Sequence, residues 1–384
     1  MKLNKNECKV IAIYIILIIP FLGVAYFNKN VNFIKILRAI SVLIFTILIF
    51  NKKNKIKINK MTLLLLIFIV YNFVIALLNS TFSVGILYSL YFQLIILIFL
   101  QQSLSKSDYR FLEALKIAYS LMMIINIPSL FMQLSISNYD RLFFLGGKNA
   151  IVQFALPTIF YNYICSYLKH NKLTKFSKLM IIISLISPLI CGSTTGFFVA
   201  LLMTLSILLK NNKIINLKML YVIYFVMLFL MFNTEVLESI TFVRDIIYNK
   251  FHKDLTFTGR TYIWDFSYEL IKNNIFGYGR GNMLIYLNFE RFNECHNIFL
   301  QFLLDGGIPS LLIFILMVYY CNKEKKSNKK NFYNNNKVLE FSKFALYSFL
   351  FLGLMESINY NINLWIILFI IDYLKSDENM VLEQ

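Results

Sequence analysis

The chain has 384 residues, of which 58% are hydrophobic and only 15% charged, and this composition excludes an ordinary water-soluble enzyme of two or three domains. The net charge of +18 comes from short lysine clusters between apolar runs, which argues against nucleic-acid binding and follows the positive-inside pattern of membrane proteins. The five cysteines show no metal or disulfide spacing.

Apolar runs of about 20 residues recur along the chain, and this is the length that a helix needs to cross the hydrocarbon core. Because lipid offers no hydrogen-bond partners, each such run must satisfy its own backbone as a helix. The sequence therefore predicts an all-α polytopic membrane protein of about a dozen spans. The predicted helices are 10–27, 31–50, 61–79, 82–101, 110–133, 149–168, 176–191, 194–210, 214–233, 296–321, 338–355 and 359–375.

The apolar stretch from Phe176 to Lys210 is too long for one span. Pro188 and the run Gly192-Ser193-Thr194-Thr195-Gly196 fall in its middle, and this composition is typical of a turn. We therefore expect a tight helical hairpin here.

The basic residues predict the orientation of the chain. If the N-terminus lies inside and the spans alternate, the inside segments hold 24 lysines and arginines and the outside segments hold 10. Seven of those ten lie in one long loop, and every short outside loop has two or fewer. The asymmetry favours twelve spans in the inner (plasma) membrane, with both termini cytoplasmic.

The long outside loop divides the chain into three parts: helices within 1–232, the loop at 233–295, and helices with a cytoplasmic tail at 296–384. Within the loop, 235–251 is predicted to be an amphipathic helix lying along the membrane surface. A second helix is predicted to begin near Thr258 or Thr261 and to stop around Asn273.

Long loops in compact proteins usually carry function, and this loop concentrates the unusual residues. Gly259-Arg260 and Phe276-Gly277-Tyr278-Gly279-Arg280-Gly281 combine glycine with arginine. Glycine lets a backbone approach a ligand, and the arginine fork suits phosphate or carboxylate. The pattern predicts an anionic site for Arg260 and Arg280, while an ordinary turn with Arg280 as a headgroup anchor stays open.

Glu294-Cys295-His296-Asn297 marks the point where the loop re-enters the membrane. His296 is one of three histidines in the chain, and an imidazole can exchange protons near neutral pH. Asn297 is a candidate for orienting a sugar or phosphate, and Glu294 for pairing with His296. The alternative is a helix-end histidine at the membrane interface beside a solvated first-turn acid.

In this order, these pieces resemble the O-antigen polymerase and O-antigen ligase superfamily (Wzy and WaaL proteins). Such proteins have a large late periplasmic loop with these motifs among many spans, a GT-C-like architecture. The motifs in this chain are Gly259-Arg260, Trp264, Phe276-Gly277-Tyr278-Gly279-Arg280-Gly281, His296-Asn297-Ile298-Phe299-Leu300 and Asp305-Gly306-Gly307-Ile308-Pro309.

The chain departs from the family pattern in an earlier outer loop. The family often has a Ser-Arg-Gly element, whereas Ser193-Thr194-Thr195-Gly196 holds no arginine. Lys148 or Arg141 is predicted to supply the missing charge.

The resemblance implies a metal-independent membrane glycosyltransferase without a cofactor, acting on an oligosaccharide linked to undecaprenyl diphosphate. Arg260 and Arg280 would stabilise the departing diphosphate, His296 would be the general base, and Gly259, Gly279, Glu294 and Asn297 would help to bind substrate. The implied partners are the lipid-linked oligosaccharide, membrane lipids, a flippase and a chain-length regulator, and no nucleic acid.

Polymerisation of repeat units for O-antigen or capsule is the preferred function, and ligation of the glycan to lipid A core is the first alternative. A polysaccharide flippase or other transporter is the alternative from another class, although mid-span charges are few. A glycan polymerase of the SEDS type is a third possibility, with Asp245, Asp254 and Asp265 as candidate acids.

Overall fold

The computed structural model describes residues 5–51, 58–133, 142–208, 222–226, 241, 260–287, 290–292, 294–323 and 333–380. Helices account for most of these residues. The α-helices are α1 Lys5–Ile18, α2 Val31–Asn51, α3 Lys60–Leu78, α4 Val84–Leu104, α5 Arg110–Met132, α6 Lys148–His170, α7 Lys175–Ile190, α8 Thr194–Leu208, α9 Arg260–Asn273, α10 Ile298–Asn322, α11 Tyr333–Gly353 and α12 Ile362–Met380. A small antiparallel hairpin, β1 Ile285–Leu287 and β2 Glu290–Phe292, was not predicted.

Five of the described helices, α2, α3, α4, α5 and α10, are long and apolar enough to cross a membrane, and α8 is a shorter apolar helix. Their outward faces carry exposed leucine, isoleucine, valine and phenylalanine side chains, as lipid contact requires. The chain is thus a multi-pass integral membrane protein. Twelve spans and the cytoplasmic placement of both termini stay predictions.

The first predicted helix, 10–27, is wrong beyond Ile18. Short 3-10 helices at Ile19–Phe21 and Ala25–Asn30 replace its second half. Pro20 brings no N–H to an α-helical ladder, and Gly23 has φ +71°, so the α-helix cannot continue through this stretch. The predicted hairpin between α7 and α8 is confirmed, with Gly192 and Ser193 in its turn.

Helix α6 lies at the centre of the bundle and packs against α5, α7, α8 and α11. Two of its polar side chains donate hydrogen bonds inside the bundle, because buried donors without partners are costly. Asn162 Nδ2 donates to Ser120 Oγ of α5 at 2.9 Å. The Tyr161 hydroxyl donates to Asn363 Oδ1 of α12 at 2.8 Å. These bonds fix α6, whose first turn reaches the candidate site.

Three elements position that site. Helix α9 packs against α10 and β1, and α10 packs against α3, α11 and α12. Residues 354–361 join α11 to α12 and are called the 354–361 connection below. Of the predicted helix 214–233 only residues 222–226 are described, and they are helical. The predicted amphipathic helix 235–251 lies outside the described residues except for Thr241, and the domain boundaries stay predictions.

Candidate active site

Helix α10 is broken one third of the way along its length. Gly307 has φ +63° and ψ −165°, far from helical values, and Pro309 follows it. Proline has no N–H, so the carbonyl of Asp305 loses its normal donor four residues ahead. The carbonyl of Leu304 loses its donor as well, because the backbone turns away at Gly307. A break inside a membrane helix requires other hydrogen-bond donors for these two carbonyl groups.

The turn 275–281, which contains the glycine-arginine motif, supplies those partners. Three backbone hydrogen bonds of 2.8 Å join the turn to the break: Tyr278 N–H to the Leu304 carbonyl, Gly279 N–H to the Asp305 carbonyl, and Ile308 N–H to the Ile275 carbonyl. The broken helix and the turn therefore complete each other's backbone hydrogen bonding.

This contact is so close that only glycine fits at two of its positions. A Cβ on Gly277 would lie 2.5 Å from the backbone nitrogen of Gly307, and one on Gly307 would overlap the Ile275 carbonyl. Gly279 was predicted to bind substrate, but its N–H is engaged by Asp305 and a Cβ there would overlap the Thr81 side chain. Gly279 therefore has a packing role, and its role in binding substrate stays a prediction.

Asn297 is the N-cap of α10. Its Oδ1 accepts from the N–H groups of Phe299 at 2.9 Å and Leu300 at 3.2 Å, and its Nδ2 donates to the Leu354 carbonyl at 3.2 Å. The residue is fully buried. Its side chain thus starts the helix. The predicted role of Asn297 in orienting a sugar or phosphate stays a prediction.

His296 precedes this cap and has φ +50°, which is uncommon for a residue other than glycine. One third of its side chain is exposed, yet its Nδ1 is buried and makes no hydrogen bond within the described part of the chain. That nitrogen faces Glu356 Oε2 at 3.6 Å. The cap at Asn297 and the left-handed backbone at His296 together hold the imidazole toward the 354–361 connection.

Glu356 of the 354–361 connection is the carboxylate on which the site converges. Its Oε1 accepts from Arg260 Nη2 at 2.8 Å and from Asn149 Nδ2 at 2.7 Å, while Oε2 faces His296. Its side chain is only 13% exposed, so the charge needs these partners. The Glu356 carboxylate therefore contacts the first turn of α6, the first turn of α9 and the segment before α10.

Arg280 contacts the same connection at Tyr360, four residues after Glu356. Its guanidinium carbon lies 3.6 Å from the centroid of the Tyr360 ring, and its Nη1 donates to Ser89 Oγ at 2.6 Å. Burial raises the pKa of the Tyr360 phenol well above its usual value, and the Asp305 carboxylate raises it further. Arg260 and Arg280 are thus both attached to the 354–361 connection.

Asp305 joins the turn, the broken helix and the connection. Its Oδ1 accepts from Gln301 Nε2 at 3.0 Å and from Asn282 Nδ2 at 3.4 Å, and its Oδ2 accepts from Asn359 Nδ2 at 3.3 Å. Asp305 is buried, and so are all three amide partners. Such a hydrogen-bonded polar cluster resists deformation and keeps Arg280 in register with the rest of the site.

Helix α9 is fixed to the segment before His296. Trp264 Nε1 donates to the Cys295 carbonyl at 2.9 Å, and the Ser267 hydroxyl lies 3.5 Å from the Cys295 sulfur. Burial raises the pKa of the Cys295 thiol to about 12. The aromatic helix of the predicted motif therefore positions both Arg260, at its own first residue, and His296.

The other predicted residues have different outcomes. Glu294 is exposed, and the carboxylate near His296 is Glu356 rather than Glu294. Lys148 begins α6 next to Asn149, and its role in binding substrate stays a prediction. Arg141 and Gly259 lie outside the described residues.

Glu356, Asn149 and Ser193 were not predicted as site residues. Ser193, in the stretch that lacks the family's arginine, donates its hydroxyl to Asn149 Oδ1 at 3.3 Å. A signal existed for Glu356, because an acid between two apolar helices needs a basic partner. Among the described residues no group of three His, Cys, Asp or Glu side chains could hold a metal ion, and metal independence stays a prediction.

Residues 179–315 match the family model described as O-Antigen ligase (Wzy_C), and no curated protein matches the chain. The matched segment contains Arg260, Arg280, His296 and the break in α10, whereas Asn149 and Glu356 lie outside it. The resemblance predicted from the motifs is confirmed over this part of the chain: residues 179–315 are similar to the O-antigen ligase (Wzy_C) family.

Proposed function

We propose that this protein is an O-antigen or capsular polysaccharide polymerase. It joins oligosaccharide repeat units linked to undecaprenyl diphosphate on the outer face of the plasma membrane. The observation that carries the proposal is the convergence of Arg260 and His296 on Glu356, with Arg280 on the same connection. A cationic group and an imidazole together meet the two chemical demands of glycan transfer from a diphosphate.

In the proposed reaction an acceptor hydroxyl oxygen bonds to the anomeric carbon of the donor sugar. The bond between that carbon and the diphosphate oxygen breaks, and its electron pair leaves with the lipid diphosphate. The hydroxyl proton passes to His296 as general base, and from there to solvent. The growing chain leaves its own carrier and extends on the incoming unit.

Arg260 and Arg280 stabilise the negative charge that develops on the leaving diphosphate. Each uses only one N–H in the side-chain hydrogen bonds described above, and a guanidinium has five. The remaining donors are held in a partly buried, low-dielectric site, where preorganised charge acts strongly. Because two guanidinium groups supply the positive charge, the proposal needs no metal ion.

The proposed location follows from the charge pattern of the sequence. The loop with Arg260, Arg280 and His296 faces the outside, and the lysine clusters face the cytoplasm. Lipid-linked repeat units reach that face after translocation, so a flippase supplies the substrate. Membrane lipids and a chain-length regulator are the other proposed partners.

Deleting the gene and sizing the surface polysaccharide tests the proposal against its alternatives. A polymerase deletion leaves single repeat units transferred without long chains, and this is the expected result. Long chains that stay on the lipid carrier would indicate a ligase, the activity named in the description of the matched family. Absence of repeat units from the outer face would indicate a flippase.

A further inference from the structure

Glu356 has one oxygen occupied by structural partners and one aimed at the imidazole. Arg260 and Asn149 both donate to Oε1, at 2.8 and 2.7 Å. Oε2 faces His296 Nδ1 at 3.6 Å, and no donor to Oε2 appears in the part of the chain that is described. Nδ1 is itself buried and makes no hydrogen bond there. Glu356 Oε2, an acceptor, and His296 Nδ1, a potential donor, therefore face each other. Neither atom makes a hydrogen bond to another group in the described part of the chain.

The gap is slightly longer than a hydrogen bond. An N–H···O bond spans about 2.7–3.2 Å, so a movement of roughly half an ångström would close it. Catalytic hydrogen bonds are often long without substrate and tighten when substrate binds. One third of the His296 side chain is exposed while Nδ1 is buried, so the exposed part of the side chain is not at Nδ1.

We propose that Glu356 is the positioning residue of His296. The Nδ1–H group of the imidazole donates to Glu356 Oε2, which leaves Nε2 unprotonated and available to take the acceptor proton. This inference rests on the proposed function and adds to it the carboxylate that the sequence motifs do not contain. The same carboxylate holds Arg260 through its other oxygen, so the base and the diphosphate-binding cation are set relative to each other.

The proton balance is complete with these groups. His296 Nε2 takes the acceptor proton as the new glycosidic bond forms, and the imidazole becomes an imidazolium. Glu356 stays ionised and stabilises that cation, as the carboxylate does in the serine hydrolase triad. The imidazolium then returns its proton to solvent after the lipid diphosphate leaves. Among the described residues, the charged group that faces the imidazole is Glu356 on the 354–361 connection, and Arg260 at the start of α9 is paired with the same carboxylate.

Asn149 and Ser193 support the arrangement. Asn149 Nδ2 donates to Glu356 Oε1, and its Oδ1 accepts from Ser193 Oγ at 3.3 Å. Since Asn149 is in the first turn of α6, this chain of bonds fixes the carboxylate to the central helix. A rotation of Glu356 that moved Oε2 away from His296 would break the bond to Asn149.

The kinetic test compares Glu356→Gln, Glu356→Asp, His296→Ala and the double variant His296→Ala/Glu356→Gln. Each is purified as the full chain in lipid nanodiscs and given a synthetic undecaprenyl-diphosphate oligosaccharide. We expect Glu356→Gln to lower kcat on the order of 100-fold with KM within about 3-fold, and Glu356→Asp to recover part of the loss. Glu269→Gln, an exposed carboxylate on α9, is the matched control and should keep wild-type kcat.

The double variant separates positioning from simple support of the fold. Glutamine keeps one side-chain oxygen that can accept from Arg260 and Asn149, so it removes only the acceptor that faces His296. If Glu356 acts through His296, adding Glu356→Gln to His296→Ala therefore changes kcat by less than about 3-fold. Multiplied losses in the double variant, or wild-type kcat in Glu356→Gln, would overturn the inference. A His296→Ala protein with wild-type kcat would refute the proposed base together with its positioning residue.

A second readout needs no activity. The chain has three histidines, so ¹⁵N-histidine NMR can assign the ring nitrogens of His296 against those of His170 at the end of α6. At alkaline pH, where imidazole is neutral, we expect the proton of His296 on Nδ1 in the wild type and its loss from that position in Glu356→Gln. A wild-type proton on Nε2 would reject the inference even if the protein proves to be a ligase.

Discussion

The two residues of the motif His296-Asn297 have different roles. The first residue faces the site, and the second caps α10 and bonds to the 354–361 connection. We expect Asn297→Ala to lower the free energy of unfolding by about 1–2 kcal/mol, because it removes a buried N-cap. Thermal unfolding in detergent measures the loss. Ser83→Ala, at the exposed N-cap of α4, is the matched control and should cost less. An unchanged Asn297→Ala protein would contradict the capping role.

Cysteine reactivity reports whether the segment before His296 is buried as described. Burial raises the pKa of the Cys295 thiol to about 12, so at pH 8 only about one molecule in ten thousand carries the reactive thiolate. A maleimide should therefore leave Cys295 unlabelled in the folded protein and label it after denaturation. Cys8, which is exposed, is the internal control for reagent access. Rapid labelling of Cys295 at pH 8 would show that α9 does not cover it.

Arg260, Arg280 and His296 could be singled out from the sequence because each lies in a short motif with a recognisable composition. The pairing of Glu356 with Arg260 and Asn149 could not be predicted, because these contacts join residues 96 and 207 positions apart. The spacing of residues within a short motif does not reveal a pairing of residues that are far apart in sequence. Glu294 seemed the natural partner of His296 because it is close in sequence, but the peptide conformation turns the imidazole toward a different element.

At the element scale, the turn 275–281 and the break in α10 form one unit. The glycines of the turn were predicted to let the backbone approach a ligand, and the structure uses them to let it approach another backbone. This distinction could not be made from sequence, since both uses require φ above zero and no side chain. Both segments lie within residues 179–315, which match the family model.

Substitution of a glycine tests this unit. A Cβ on Gly277 would meet the backbone of Gly306 and Gly307, which cannot move aside as a flexible side chain would. We expect Gly277→Ala to lower the thermal stability and yield of the protein, with a cost of about 2 kcal/mol or more from backbone strain and overpacking. Gly85→Ala, inside α4 and without a close contact, should be neutral or slightly stabilising. Equal stability of the two variants would contradict the close packing.

At the scale of the whole molecule, hydropathy predicted most helices to within a few residues. The hydropathy prediction failed in the first predicted helix, where Pro20 and Gly23 prevent an α-helix although the sequence is apolar. The polar centre of α6 was not foreseen, because partners for Asn162 and Tyr161 come from other helices. The orientation of the chain in its membrane is predicted from the lysine distribution.

Reporter fusions test that orientation. A reporter active only outside the cytoplasm should be active when fused after Asn282, in the predicted outer loop, and silent after Lys326, in a predicted inner loop. A cytoplasmic-only reporter at the same two positions is the control and should give the reverse pattern. Activity of the outside reporter at Lys326 and silence at Asn282 would invert the topology and move the site to the cytoplasmic face.

We propose that Arg260 and His296 carry out glycan transfer. This role is tested by the length of glycan formed on a synthetic undecaprenyl-diphosphate oligosaccharide by Arg260→Ala and His296→Ala, each at wild-type protein level in the membrane. We expect both variants to insert normally and to lose chain extension, His296→Ala by on the order of 100-fold or more. Chains of normal length and rate from either variant would contradict it.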